Sequence, residues 1–400
     1  MEGVINNGDV AFMVLTTVLV FFMTPGLAFF YGGLVERKNA LTMMMYTFLS
    51  VGVVTILWVL GGFSFVFGND ISGIIGNPID YFMLAGVDFT INPRYGSHIP
   101  FLMFFMYQLM FAIITAPLMT GAFANRMKIG GWIKVLICWM LLIYFPVAHW
   151  IWGGGFLSEW GFIDYAGGTV IHVSAGFAAL ASVFFFGRRA YIPKGYSGSA
   201  VWVAIGGSIL LFGWFGFNSG GALAGGQVAA IAFTNTAITS GFSSIIWVFM
   251  AYRKDHKFSI TELMTGAIAG LAAITPCSGY INPQGAVIVG ILTPLICFFS
   301  LQLVSKLRLD DALGVWGVHG MGGFSGSVLV GILAVSEVNQ ISGSVHQSII
   351  QISGTLLVGA YSFIMTYLIL KICDLMNPLR VADSIQKDGL DRHYIKEVED

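Results

Sequence analysis

Long, nearly unbroken apolar stretches separated by short polar breaks dominate this chain. Eleven of them, at about 10–32, 40–67, 99–123, 130–152, 165–186, 200–219, 226–251, 260–276, 285–304, 316–335 and 345–373, reach or approach the length that crosses a bilayer, about 20 residues. Lipid offers a backbone no hydrogen-bond partner, so each stretch is predicted to be a helix. The sixth and eighth are short. The predicted fold is an all-α polytopic membrane protein with eleven transmembrane helices. The longest polar break, 69–98, is rich in Asn, Gly and Asp and reads as a loop. Residues 375–400 read as a charged tail, which leaves 1–374 as one membrane domain.

The basic residues orient these helices. Arg37 and Lys38, Arg126 to Lys134, Arg188 to Lys194, Arg253 to Lys257, Lys306 and Arg308, and the group from Lys371 to Lys396 fall in alternate breaks, and Arg94 stands alone on the other side. The positive-inside rule then predicts a multi-pass protein of the cell membrane, N-terminus outside and C-terminus cytoplasmic. A missed helix would scramble this alternation, so it also supports the count.

Composition agrees. Charged residues are 10% of the chain, against about 25% in soluble domains. The 51 glycines suit close helix packing in lipid. A net charge of −1 gives no electrostatic case for nucleic acid. The four cysteines have no metal or disulfide spacing, and neither a metal nor a cofactor is expected. The opening "MEGVINNGDV" has no basic n-region, so no cleaved signal peptide is predicted.

One pattern repeats. "DYAGGTVIHVSAG" carries Asp164 and, eight residues on, His172; "DDALGVWGVHGMGG" carries Asp311 and, eight residues on, His319. The two predicted helices lie five apart and so enter the membrane from opposite sides. That predicts an inverted 5+5 repeat with one C-terminal helix added, and a transport site where the halves meet. Ionisable residues inside a membrane are functional candidates by default. Asp164 precedes a helix start, where a carboxylate either caps free N–H groups or attracts a cation.

These stretches, with "FGWFGFNSG", "PGLAFFYGGLVERKNAL", "HWIWGGGFL" and "GAIAGLAAITPCSGYI", resemble the ammonium transporter family, Amt/Mep/Rh, over about residues 10–391. The resemblance implies a homotrimer with one pore per subunit and no enzymatic activity. It matches His172 and His319 to paired pore histidines, and Phe111 and Phe217 to stacked phenyl rings closing the outer end of the pore. It matches Tyr107, Phe111 and Trp152 to aromatic positions that recruit ammonium, and Asp164 to an acidic residue near that vestibule. Two positions depart: Gly221 stands where the family often has a serine hydroxyl, and Gly314 where it often has an aspartate. Ser219, two residues earlier, would point elsewhere on a helix. His149 is assigned to packing or the membrane interface.

The chemistry implied is capture of ammonium on aromatic faces, worth about 0.5–2 kcal/mol each, deprotonation near the outer mouth, and passage of neutral NH3. A bare charge at mid-membrane costs at least about 2.5–3.5 kcal/mol, and potassium cannot shed a proton. The histidine pair would relay that proton, since unperturbed imidazole exchanges protons near neutrality. Methylammonium is an alternative cargo. The tail keeps "GLD" at 389–391 but departs in "RHYIKEVED", which leaves a PII-type signal protein as a candidate partner. An ammonium-binding sensor with little conduction is the alternative function, and a haem-binding redox enzyme is a weaker one, since the helices offer single histidines and no other redox motif.

Overall fold

The computed structural model describes residues 4–193 and 197–398; Lys194, one of the basic residues used for orientation, lies outside them. Among the described residues, nine helices are long and apolar enough to cross a membrane. They are α1 (Asn7–Leu34), α2 (Arg37–Phe67), α3 (Phe101–Gly121), α4 (Ile129–Glu159), α5 (Gly168–Phe186), α6 (Ala200–Ala222), α7 (Gln227–Asp255), α9 (Pro283–Lys306) and α11 (Val345–Met376). The two remaining apolar runs form shorter pieces. Helix α8 is Ile260–Ile274, and α10 is a π-helical turn at Trp316–Gly320 continued by Met321–Leu333.

Polar residues at the breaks start these helices. Asn6 accepts from the Gly8 and Asp9 N–H groups, Ser199 from Trp202, Ser259 from Glu262, Asn282 from Gly285 and Ser344 from Gln347. Such caps satisfy donors that a helix start otherwise leaves open. The long 69–98 break carries a small antiparallel hairpin, Asp70–Ile71 against Ile75–Gly76.

Glycine decides how closely α5 and α10 approach. A side chain at Gly323 would place its Cβ 2.8 Å from Cβ of His172. Gly176, one turn after His172, lies against the backbone of Gly320, beside His319. Only residues without side chains allow two helices to meet backbone to backbone here.

At the opposite end from the hairpin, the segment after α11 folds back rather than trailing away. Leu379, Val381 and Leu390 are buried. The Val381 N–H donates to Arg126 O at 2.8 Å, and the Lys128 N–H donates to Leu379 O at 3.0 Å. The Asp391 carboxylate accepts the Leu41 and Thr42 N–H groups at 3.0 and 2.8 Å and the Thr42 hydroxyl at 2.7 Å, capping the start of α2. The same end holds buried Arg126 and half-buried Arg189 on Asp310, at 3.6 and 2.7 Å.

Candidate functional site

Asp164 organises the start of α5. Its Oδ1 accepts the N–H groups of Gly167 and Gly168 at 2.9 and 2.7 Å, and its Oδ2 accepts those of Thr169 and Val170 at 2.8 and 2.9 Å. The carboxylate therefore faces four backbone donors and caps the π-helical turn Gly168–Val173, which carries His172. Asp311 does the same at the other end, accepting from Val315 and Trp316 at 3.0 and 2.9 Å ahead of the π-helical turn with His319. Isolated π turns often occur at functional sites, because the extra residue turns a side chain out of regular register.

Above α5 lies a vestibule of about 310 Å³, on the hairpin side. Tyr107, Phe111, Trp152, Asp164 and Gly221 all line it. Trp152 is fixed by its Nε1–H, which donates to the main-chain oxygen of Asp164 at 2.8 Å. Phe111 lies 6.0 Å from Trp152 and 4.7 Å from Tyr107, ring centre to ring centre. The Tyr107 hydroxyl donates to Phe217 O at 2.8 Å and so ties α3 to α6.

Phe111 and Phe217 form the floor. Their ring centres are 4.5 Å apart and their planes cross at 79°, an edge-to-face pair. Phe111 faces the vestibule, and Phe217 faces a second cavity beyond it. That second cavity is narrow and apolar, about 20 Å³, with His172 and His319 among walls that include Leu27, Ile114, Leu210 and Ile268. A space of that size admits about one water-sized molecule.

Within it, Nδ1 of His172 and Nδ1 of His319 are 3.3 Å apart, with ring centres at 5.2 Å and planes within 21°. A hydrogen bond between two ring nitrogens needs one to carry hydrogen and the other to be bare. The two rings thus hold complementary protonation at these atoms. Nε2 of His172 is buried and has no hydrogen-bond partner among the described residues. Trp214 stacks on His172 at 5.3 Å and is itself anchored by its Nε1–H on the Thr275 hydroxyl at 2.9 Å.

Three further residues belong to the site. Trp214 precedes Phe217 by three on one helix face, and that spacing was the available signal. Tyr165 and Tyr280, which line the vestibule 5.7 Å apart, carried no signal until their neighbours were known. Arg94, noted only for orientation, also lines the vestibule, and its Nη2 donates to Gly153 O at 2.6 Å.

A family model described as Ammonium Transporter Family matches residues 11–399. The chain belongs to the ammonium transporter family. Ammonium transporter Amt1 of Archaeoglobus fulgidus is 40% identical over 400 residues, covering 98% of this chain and 99% of its own. The ammonium transporter of Bacillus subtilis is 38% identical and covers 96% of both chains. Among solved structures, Mep2 of Candida albicans matches with a TM-score of 0.89 at 31% identity, over 98% of this chain and 92% of its own. A structure named Sensor Amt Protein matches with a TM-score of 0.89 at 29% identity, over 97% and 98%.

At the two positions where the sequence resemblance implies a departure, the structure shows what surrounds each glycine. A Cβ on Gly221 would lie 2.9 Å from Cε1 and 3.2 Å from the carbonyl oxygen of Tyr165, so the Tyr165 ring occupies the space a serine would take. Ser219 does not stand in, because its hydroxyl donates back to Phe215 O at 2.5 Å. Gly314 has φ +72°. That left-handed region suits glycine and, among other residues, tolerates Asn and Asp best.

Proposed function

We propose that this protein transports ammonium, or the ammonia derived from it, across a membrane. The observation that carries this reading is the Phe111–Phe217 pair: it separates a roomy, partly polar vestibule from a narrow apolar cavity holding two hydrogen-bonded histidines. Ammonium would be drawn to the aromatic faces of Trp152, Tyr107 and Phe111. Each face is worth about 0.5–2 kcal/mol, more as water is excluded. Asp164 attracts the cation without holding it directly, because its oxygens already accept four N–H groups. The cation sheds its proton at the ring pair, neutral NH3 enters the apolar cavity, and the proton follows separately across His172 and His319.

In this reading α1 to α11 all cross, as an inverted repeat of α1–α5 and α6–α10 with α11 added. The matching caps of Asp164 and Asp311, each before a π turn with a histidine, support the repeat. The vestibule faces outward, both by the distribution of basic residues and because ammonium is gathered there, and the C-terminal segment lies on the cytoplasmic side. The working unit is a homotrimer with one pathway per subunit. The docked segment at 377–398 offers a cytoplasmic surface for a PII-type signal protein, and methylammonium is a second cargo.

Current measurement on the purified chain in liposomes tests this reading. An ammonium gradient is expected to drive current. Saturable ammonium binding without current would instead assign the chain to sensing, the alternative that the missing serine hydroxyl and the Sensor Amt Protein relative both favour.

A further inference from the structure

His149 carries an arrangement that the pathway above does not use. Its side chain is fully buried in α4, one turn before Trp152. Nδ1 lies 2.7 Å from the main-chain oxygen of Val66, and Nε2 lies 2.9 Å from Oδ1 of Asp70. Carbonyl and carboxylate oxygens only accept. A neutral imidazole has one N–H, so it satisfies one of these partners and sets a lone pair against the other. With Asp70 ionised, both contacts are hydrogen bonds only when both ring nitrogens carry hydrogen.

The alternative home for the second proton is the Asp70 carboxyl, and its surroundings favour the ionised form. The Asp70 side chain is 32% exposed. Both its oxygens lie 2.9 Å from the Gly73 N–H. The His149 hydrogen bond above all holds this carboxyl below its usual range; slight burial opposes that, and the Gly73 N–H and the charges of His149 and Arg94 add to it.

This clasp joins three parts of the vestibule wall. Val66 lies at the end of α2, and Asp70 opens the hairpin. The main-chain oxygen of His149 accepts the N–H groups of Gly153 and Gly155, each at 3.0 Å. The turn that follows Trp152 is therefore built on His149, and Gly153 packs so closely on Val66 O and the imidazole that a side chain has no room there. The hairpin side adds two bonds: Phe156 N–H to Gly73 O at 3.0 Å and Trp150 Nε1–H to Ile74 O at 2.9 Å. The charged groups around the ring are Asp70 on the hairpin and Arg94 on the loop, the latter on Gly153 O at 2.6 Å. Asp80, farther along that loop, is engaged by the Asn69 N–H and the Asn77 amide at 2.7 and 2.6 Å. Beyond Trp152, Asp164 is spent on its own helix start.

We propose that His149 is a positioning residue, doubly protonated and clasped between Val66 and Asp70, that holds Trp152 over the vestibule and makes cation capture depend on the pH of the vestibule side. The proposal rests on the transport reading. With only one ring hydrogen, one of the two contacts becomes a repulsion and the turn carrying Trp152 loosens. At the acid end, Asp70 must first be neutralised, and its lowered pKa puts that limb below the ordinary carboxylate range.

The test is the half-saturating ammonium concentration for current through the full chain in liposomes, measured from acid to alkaline pH. Each variant is referred to the wild type at the same pH, which cancels the changing fraction of ammonium. In the wild type, half-saturation is expected to rise several-fold with pH. Asp70→Asn moves that rise to lower pH, because the imidazolium loses its anion. His149→Gln, whose amide can donate at one end only, raises half-saturation several-fold throughout and flattens the profile. Parallel profiles for His149→Gln and wild type, or an unshifted profile for Asp70→Asn, overturn the proposal. If His149→Gln fails to fold, Asp70→Asn, at a partly exposed position, carries the test alone. A wild type without current would defeat the transport reading instead, and the clasp is then read from ammonium binding by calorimetry over the same pH series, with the same expected shifts.

Discussion

Replacing Asp164 with alanine is expected to abolish ammonium transport and lower the melting temperature of the protein markedly. The substitution strips the partner from four backbone N–H groups at the start of α5. A buried donor left unpaired costs about 1–3 kcal/mol, so the total is several kcal/mol even if water reaches some of them. The same stretch supplies the carbonyl that holds Trp152 and the π turn that presents His172, so the damage reaches vestibule and histidine pair together. Asp164→Asn should recover little. Its amide oxygen still accepts on one side, but its NH2 group meets N–H donors on the other. Thermal unfolding in detergent alongside uptake in liposomes checks both effects. An alanine variant with wild-type melting and uptake would remove Asp164 from the account.

The second large effect concerns the histidines. Changing both His172 and His319 to leucine keeps the cavity filled and apolar but removes every proton-exchanging atom from its wall. Ammonium-driven current is then expected to fall at least about tenfold, equal to about 1.4 kcal/mol on the barrier, while potassium stays excluded. The alanine pair behaves differently. It enlarges a cavity that now admits about one small molecule, lets water in, and weakens the barrier to potassium. Current through the leucine pair equal to wild type would rule out the relay, while leaving the ring pair and vestibule in place.

Much of this could be read along the chain, and what could not has a common cause. The apolar runs marked the long helices because membrane spans are local in sequence and need no partner to be recognised. The Asp164–His172 and Asp311–His319 spacing was visible for the same reason, since each aspartate stands only eight residues ahead of its histidine, just before the helix that carries it. Tyr107, Phe111, Trp152, Asp164 and Gly221 were named separately and line one vestibule. What stayed hidden depends on residues far apart in the chain. Nothing in "FNSGGAL" says that the Tyr165 ring fills the space beside Gly221. His149 looked like a packing residue until Val66 and Asp70 were found on its two nitrogens. The end of the chain read as a charged tail because charges are dense along it, yet Leu379, Val381 and Leu390 are the ones that dock it, with Asp391 capping α2 from some 350 positions away in sequence.

The central claim is that the intact ammonium cation stops at the Phe111–Phe217 pair: neutral NH3 enters the cavity beyond, and the proton crosses separately over His172 and His319. Potassium matches ammonium in size and charge but cannot give up a proton, so comparing the two ions isolates that step. Currents should be recorded from wild-type protein in liposomes under equal gradients of ammonium and of potassium. The account predicts saturable current with ammonium and none above empty liposomes with potassium. Comparable currents for the two ions would mean that a cation passes the rings intact, and would contradict it.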